Sequence, residues 1–242
     1  MVAIVGRGNV ASHLFSALKD KTEVCLVNPH TFENYPQDPD IVLICVSDNA
    51  IEEVVNNLPF SNSIVAHTAG SVPMDILKGK TSDYGVFYPL QTFSKDAILD
   101  YSEIPVFIEG SSPETVKKLK ELASLFSKEI KEADSQTRKS LHLASVFACN
   151  FTNALAEIAE GLLKKSGIEF SVLFPLIKQT VNKLESMSPK EAQTGPAKRG
   201  DTKVMMSHME MLSEFPDLGE IYSLLSSLIA RQSSESNKSQ NL

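Results

Sequence analysis

Two textures alternate through the first part of the chain. Short, β-branched-rich runs that are apolar at nearly every position occupy 2–5 (VAIV), 23–27 (EVCLV), 41–46 (IVLICV) and 63–67 (SIVAH). Between them, 9–19 and 49–57 carry apolar residues at helical spacing. A strand that is apolar on both faces is covered on both faces, so this alternation predicts βαβ units around a buried parallel sheet. Further strands are predicted at 84–88 (YGVFY), 105–108 (PVFI) and 128–132, and a helix at 114–126, opened by SSPE with a serine N-cap before a proline. At Asp134 the texture changes. Helical periodicity runs through 134–165, 170–187, 202–213 and 217–231, interrupted by Gly or Pro, and the closing QSSESNKSQNL has no apolar period. The predicted class is α/β: a parallel-sheet domain over 1–133, an all-helical domain over 134–231, and a disordered tail over 232–242.

Within the long helix, Leu143, Phe147, Phe151, Ala154 and Ile158 form one apolar stripe. The opposite side is not the charged face of a surface helix, because Val146 and Cys149 stand there beside His142, Ser145, Asn150 and Asn153. A helix covered on both sides needs more partners than a small domain supplies. A homodimer built through this half is the expectation.

The segment VAIVGRGNVASHL places a G-x-G-x-x-A pattern after a strand and before a helix. In that context Gly6 makes the tight turn, Gly8 lets the backbone approach a pyrophosphate, and Ala11 allows close helix packing. The helix amides that follow Arg7, at Asn9 and Val10, then face phosphate oxygens, where the helix dipole favours negative charge. An Asp or Glu at the end of the second strand would grip the ribose 2′-hydroxyl of NAD, and here the position is Asn28, followed by PHT. Loss of that carboxylate favours NADP over NAD, with Asn28, His30, Thr31 and Arg7 as candidate phosphate contacts. Val46 and Ser47 leave the third strand at the same sheet edge, where Asp48 and Asn49 are candidate caps for the next helix. The loop of His67, Thr68, Ala69 and Gly70 leaves the fourth strand there, where it would line the nicotinamide end; His67 is a candidate near the reacting centre, and a buried strand histidine is the competing reading.

Composition narrows the partners. A formal charge of -7 with no basic stripe argues against nucleic acid. No apolar stretch reaches the roughly 20 residues that span a bilayer, and the chain opens on a strand-like run without a targeting pattern, so a cytoplasmic location is expected. Cys25, Cys45 and Cys149 lie in apolar runs without paired spacing or neighbouring histidines, and read as buried structural thiols with no metal role.

Taken together, GRGNVA, VSDNAI, HTAGS, FYPLQTFSK, HLASVFACNF and TGPAKRGD resemble a family of bacterial proteins that join a Rossmann-like NADP-binding domain to a helical domain. Its relatives are pyrroline-5-carboxylate reductase and the deazaflavin-dependent NADP oxidoreductases, within the 6-phosphogluconate dehydrogenase-like group. The resemblance covers residues 2–230 and implies a dimer, with each active cleft between nucleotide and helical domains. It sets His142, Asn150 and Asn153 toward that cleft, with TGPAKRGD close by. The SGSGPAY-like opening of the long helix in pyrroline-5-carboxylate reductases is absent, which argues against proline synthesis. The hydroxyacid dehydrogenase pattern, a lysine with an asparagine one turn on, is absent too.

A reductase of this kind sets a carbonyl or imine against the nicotinamide and protonates what the hydride leaves. His142 is the best-placed titratable group for that proton, and Asn150 and Asn153, near it on an ideal helical wheel, would orient substrate. A polar patch sealing an interface is the competing reading of the same residues. Lys198 and Arg199, in a loop shaped by Gly195, Pro196 and Gly200, are candidates for a substrate anion, and Asp201 a candidate cap. The function implied is NADP-dependent hydride transfer with a small C=O or C=N substrate. The alternative is a dimeric NADP-binding sensor or regulatory module without turnover.

Overall fold

The computed structural model describes residues 1–59 and 62–239, with side chains as far as 234. It divides into two compact units, Met1–Ala156 and Glu157–Leu242.

The first unit is built on seven strands in the order β2-β1-β3-β4-β5-β6-β7. They are β1 (Val2–Val5), β2 (Val24–Val27), β3 (Ile41–Ile44), β4 (Ile64–His67), β5 (Tyr84–Pro89), β6 (Val106–Gly110) and β7 (Ile130–Glu132). The nearly continuous apolar runs have a simple cause. Val2 and Ile4 of β1, with Ile41 and Leu43 of β3, pack toward one face, where Leu14, Leu18, Leu119 and Phe126 cover them. Ala3, Val5, Val42 and Ile44 pack toward the other, against Ile51, Val54 and Leu77. The covering helices are α1 (Asn9–Leu18), α2 (Ile51–Asn57) and α3 (Pro113–Ser124). Ser112 caps α3 by accepting the Thr115 N–H at 3.1 Å, with Pro113 in the first turn.

One strand runs against the expected direction. β6 is antiparallel to β5, with Phe87 opposite Ile108, while β6 and β7 are parallel. A parallel neighbour needs a crossover that carries the chain back along the sheet. Residues 90–105 hold only the short 3-10 turn Tyr101–Glu103, so the chain re-enters beside β5 from the end it left.

Beyond Asp134, whose carboxylate accepts the Thr137 N–H at 2.7 Å, the chain is helical. The elements are α4 (Ser135–Ser145), a π turn (Val146–Asn150), α5 (Phe151–Lys164), α6 (Phe174–Ser186), α7 (Pro189–Ala192), α8 (Pro196–Arg199), α9 (Thr202–Met211) and α10 (Pro216–Ser239). The texture changes at Asp134, but the compact unit holding the sheet continues to Ala156 and takes in α4. The expected disordered tail is corrected in part: α10 runs on to Ser239, and the remaining residues, 240–242, lie outside the described residues. Serines and one lysine without apolar period still sustain a helix once α10 is under way, because propagation costs far less than nucleation.

Arg138 is what joins α4 to the sheet. It is 1% exposed, among the largest fully buried side chains of the chain. Its guanidinium pairs with Glu109 of β6, donates from Nη2 to the Val72 carbonyl at 2.6 Å, and from Nε to the Ala69 carbonyl at 3.3 Å. Glu109 also accepts the Ser135 N–H at 3.0 Å and its hydroxyl at 2.9 Å. A buried pair broken on one side leaves the other charge uncompensated, at a cost of roughly 3–5 kcal/mol. Arg138→Met should therefore lower the melting temperature by on the order of 10 °C, read by differential scanning calorimetry. A shift within about 2 °C, the size of an ordinary surface substitution, would show that the pair carries little.

Candidate active site

The turn between β1 and α1 is shaped by two glycines in different ways. A Cβ on Gly6 would lie 2.2 Å from the Cys45 carbonyl oxygen, so only glycine lets β1 and β3 come this close. Gly8 is the N-cap of α1 in extended conformation, and a Cβ there would meet no atom within 4 Å. Helix α1 starts without a side-chain cap. Its first N–H groups have no intrahelical partner, and this terminus borders a cavity of about 450 Å³ lined by Arg7, Gly8, Asn9, Val46, Ser47 and Phe93. Val10, Cys45 and Gln91 complete the wall. The donor set is backbone N–H at a helix N-terminus beside an exposed arginine, which suits a phosphate.

Asn28 does not project freely. Its side-chain oxygen accepts the His30 N–H at 3.1 Å, and its carbonyl accepts the Phe32 N–H at 2.9 Å. The Asx turn sets a strained loop, with Phe32, Asn34 and Asp38 all at positive φ. His30 and Thr31 are exposed on that loop, the Thr31 hydroxyl accepting the Glu33 N–H at 3.4 Å. None of the three lines the cavity beside Gly8.

The side chains that end β4 and follow it are buried. His67 is fully buried, its Nδ1 accepts the Ala69 N–H at 3.2 Å, and burial, helped by the charge of Arg138, lowers its pKa to about 4. Thr68 is buried with its hydroxyl on the Ile44 carbonyl at 3.3 Å, and Ala69 is buried with its carbonyl on Arg138. These side chains are buried, and among the described residues His67 Nε2 has no hydrogen-bond partner. Gly70 has another use. A Cβ there would fall 2.7 Å from the Tyr88 ring and 2.8 Å from His142 Nδ1.

Tyr88, near the end of β5, and His142, on α4, therefore meet over Gly70. Their Oη and Nδ1 lie 3.3 Å apart, with the rings edge to face at 6.4 Å. Burial raises the pKa of Tyr88, so its phenol keeps its proton beyond the ordinary tyrosine range. Nearby, Asp48 does not cap the helix after β3; its carboxylate accepts the Ser71 hydroxyl, and Ser47 holds the N-cap position without a side-chain bond. Asn49 takes no cap position either.

Between His142 and Asn153 the helix does not keep ideal winding. The π turn at Val146–Asn150 adds a residue to the helical winding, which rotates everything beyond it by roughly a quarter turn relative to an ideal wheel. Both asparagines are exposed, and neither side chain has a hydrogen-bond partner among the described residues. Cys149, expected to be buried, is exposed in the same turn, and Cys25 is half-buried. Cys45 is buried as read, with its thiol pushed up to about 12.

In the second unit, Gly195 and Gly200 have φ of 107° and 72°, the shape a glycine-bounded turn provides. Its two cations are engaged locally. Lys198 donates to the Gln193 carbonyl at 2.6 Å, and Arg199 pairs with Asp201 at 2.7 Å, so Asp201 is not a side-chain cap.

Two residues of the first unit escaped the sequence reading. Tyr88 reads as one more strand aromatic, and only its place beside Pro89 at the end of an apolar run marks an exit from the sheet. Arg138, in SQTRKSLH, looks like part of a solvated helix face. No helix among the described residues is long and apolar enough to cross a membrane.

A family model described as a domain of unknown function, DUF2520, matches residues 104–229. Among solved structures, a "putative NADP oxidoreductase" of Bacteroides fragilis is 38% identical, covering 95% of this chain and 97% of its own, with a TM-score of 0.85. A protein of Thermotoga maritima is 22% identical over 98% of this chain and 100% of its own, with a TM-score of 0.76. A reductive aminase of Aspergillus terreus, in complex with NADPH and ethyl-5-oxohexanoate, is 17% identical over 97% of this chain and 93% of its own, with a TM-score of 0.72. At these last two identities the likeness is one of fold. No curated protein sequence matches the chain. The match across more than half the chain and the near-complete overlap with the Bacteroides protein establish that the chain belongs to the DUF2520 family.

Proposed function

We propose that the protein is an NADP-dependent oxidoreductase that transfers a hydride to or from a small C=O or C=N substrate. The observation that carries this reading is the Gly6–Val10 turn opening onto the 450 Å³ cavity, the backbone donor set that a dinucleotide pyrophosphate takes. The 38% identical relative is described as an NADP oxidoreductase, and the Aspergillus enzyme was crystallised with NADPH. Asn28, in place of a carboxylate at the end of β2, is in keeping with a phosphorylated ribose.

When bound, the nicotinamide supplies the hydride. The chain's own residues supply binding and the proton. The first-turn amides of α1 and Arg7 hold phosphate oxygens. The Tyr88 phenol, kept protonated by burial, donates a proton to the oxygen or nitrogen that gains charge, and His142 orients the phenol and replaces its proton. Because burial raises the Tyr88 pKa, the loss of reduction rate that comes from ionising the phenol should fall above the ordinary tyrosine range of about pH 10.

The apolar residues that the monomer leaves in water support a homodimer. In the second unit Leu176 is 65% exposed, Met206 65%, Met211 73% and Leu224 72%, too many large side chains for a solitary helical surface. A second copy is the occupant proposed for them.

Three measurements test these points. In a thermal-shift titration with NADPH, NADP, NADH and NAD, saturation at about 100 Kd should raise the melting temperature by roughly 5–10 °C with the phosphorylated pair. Gly8→Ala should melt like the parent protein yet lose most of that shift, and no shift in the parent with any of the four would reject the cofactor site. Tyr88→Phe should lower kcat by roughly 100-fold or more with NADPH affinity unchanged; a variant of undiminished kcat would exclude the proton role, and tight NADPH binding with no turnover on any carbonyl or imine would favour a sensor. Sedimentation velocity should give twice the monomer mass at micromolar concentration, and a monomer there would refute the dimer.

A further inference from the structure

We propose that His13 is a positioning residue that latches the segment after β5 over the phosphate turn and so sets the affinity of the cofactor cleft. The inference rests on the dinucleotide reading of that cleft. His13 stands one turn after Asn9 on α1 and is 5% exposed. Its Nε2 lies 2.8 Å from the Ser94 carbonyl, its Nδ1 3.0 Å from the Tyr101 hydroxyl, and its ring 5.0 Å from that of Phe93. A carbonyl has no proton to give, so Nε2 carries the hydrogen and donates to Ser94. Nδ1 faces the Tyr101 hydroxyl, which can both donate and accept. One side chain thereby fixes two points seven residues apart on a segment with almost no regular structure of its own.

Asn9 reinforces the grip. Its side-chain amide donates to the Phe93 carbonyl at 3.0 Å, so the residue first read as a cofactor contact spends its side chain on this wall. Gln91 and Phe93 line the same cavity as Gly8 and Ser47. The helix whose N-terminus meets the phosphates therefore also holds part of the cavity wall, through side chains one turn apart on a single face. Without the latch, the wall would have to be ordered each time a nucleotide bound, at a cost in affinity.

The test is isothermal titration of the full-length protein with NADPH, alongside the melting temperature of each free variant and kcat at saturating NADPH. His13→Ala should weaken NADPH by roughly tenfold or more, the equivalent of one to two lost hydrogen bonds, with kcat kept within about twofold. His13→Gln, whose amide reaches for the Ser94 carbonyl, should recover most of the affinity, and Tyr101→Phe, which removes one hydroxyl, should fall between. Parent-like affinity in His13→Ala overturns the latch. Should that variant not fold, unchanged affinity in Tyr101→Phe overturns it equally. Affinities that follow melting temperature, with no rescue by Gln, would make His13 merely structural and also overturn it. Failure of the parent protein to bind NADPH would reject both the cofactor reading and the latch, whereas binding by the parent with indifferent variants rejects the latch alone.

Discussion

The guanidinium of Arg138, almost without access to water, draws together parts of the chain that are far apart in sequence. It takes a carboxylate from β6 and two carbonyls from the loop after β4, while belonging itself to α4. Three groups that would each be costly to bury alone are satisfied by one planar donor. The consequence lies one turn further along α4. His142 can meet Tyr88 only because the helix is held against the loop carrying Gly70, and because that position has no side chain. The same charge also helps keep His67 neutral in the core. Folding energy and site geometry therefore share an interaction, and weakening it should disturb both.

At the other end of the crevice the constraint is steric. Gly6 lets β1 press against β3, whereas the space above Gly8 is open to a ligand. The two glycines of one motif serve different ends, packing and binding. The same helix holds part of the cavity wall, Asn9 and His13 reaching the carbonyls of Phe93 and Ser94.

Much of this architecture is legible in residue order. Strands covered on both faces announce themselves as unbroken apolar runs, and Ser112 with Pro113 marks the start of α3 as plainly in sequence as in structure. Direction is not written there. An apolar run such as PVFI fits a parallel or antiparallel neighbour equally, and only the lack of a crossover helix over 90–105 distinguishes them. The ideal wheel that sets Asn150 and Asn153 beside His142 takes no account of the π turn, which no residue type in VFACN signals. Short helices were missed although one was readable: Ser188 and Glu191 form a capping box around Pro189. Tyr88 and His142 are 54 positions apart, and nothing local marks either as the other's partner. Lys198 and Arg199 looked available as anion ligands because their partners, a backbone carbonyl and a carboxylate two residues on, appear only once the turn is built.

The central claim is that one sheet edge holds a dinucleotide at the Gly6–Val10 turn and a proton donor at Tyr88. A crystal structure of the full chain grown with NADPH tests it most directly. The pyrophosphate should lie on the first-turn amides of α1, with the nicotinamide ring reaching toward the Tyr88 hydroxyl. Nucleotide bound elsewhere, or a nicotinamide directed away from Tyr88 and His142, would contradict it.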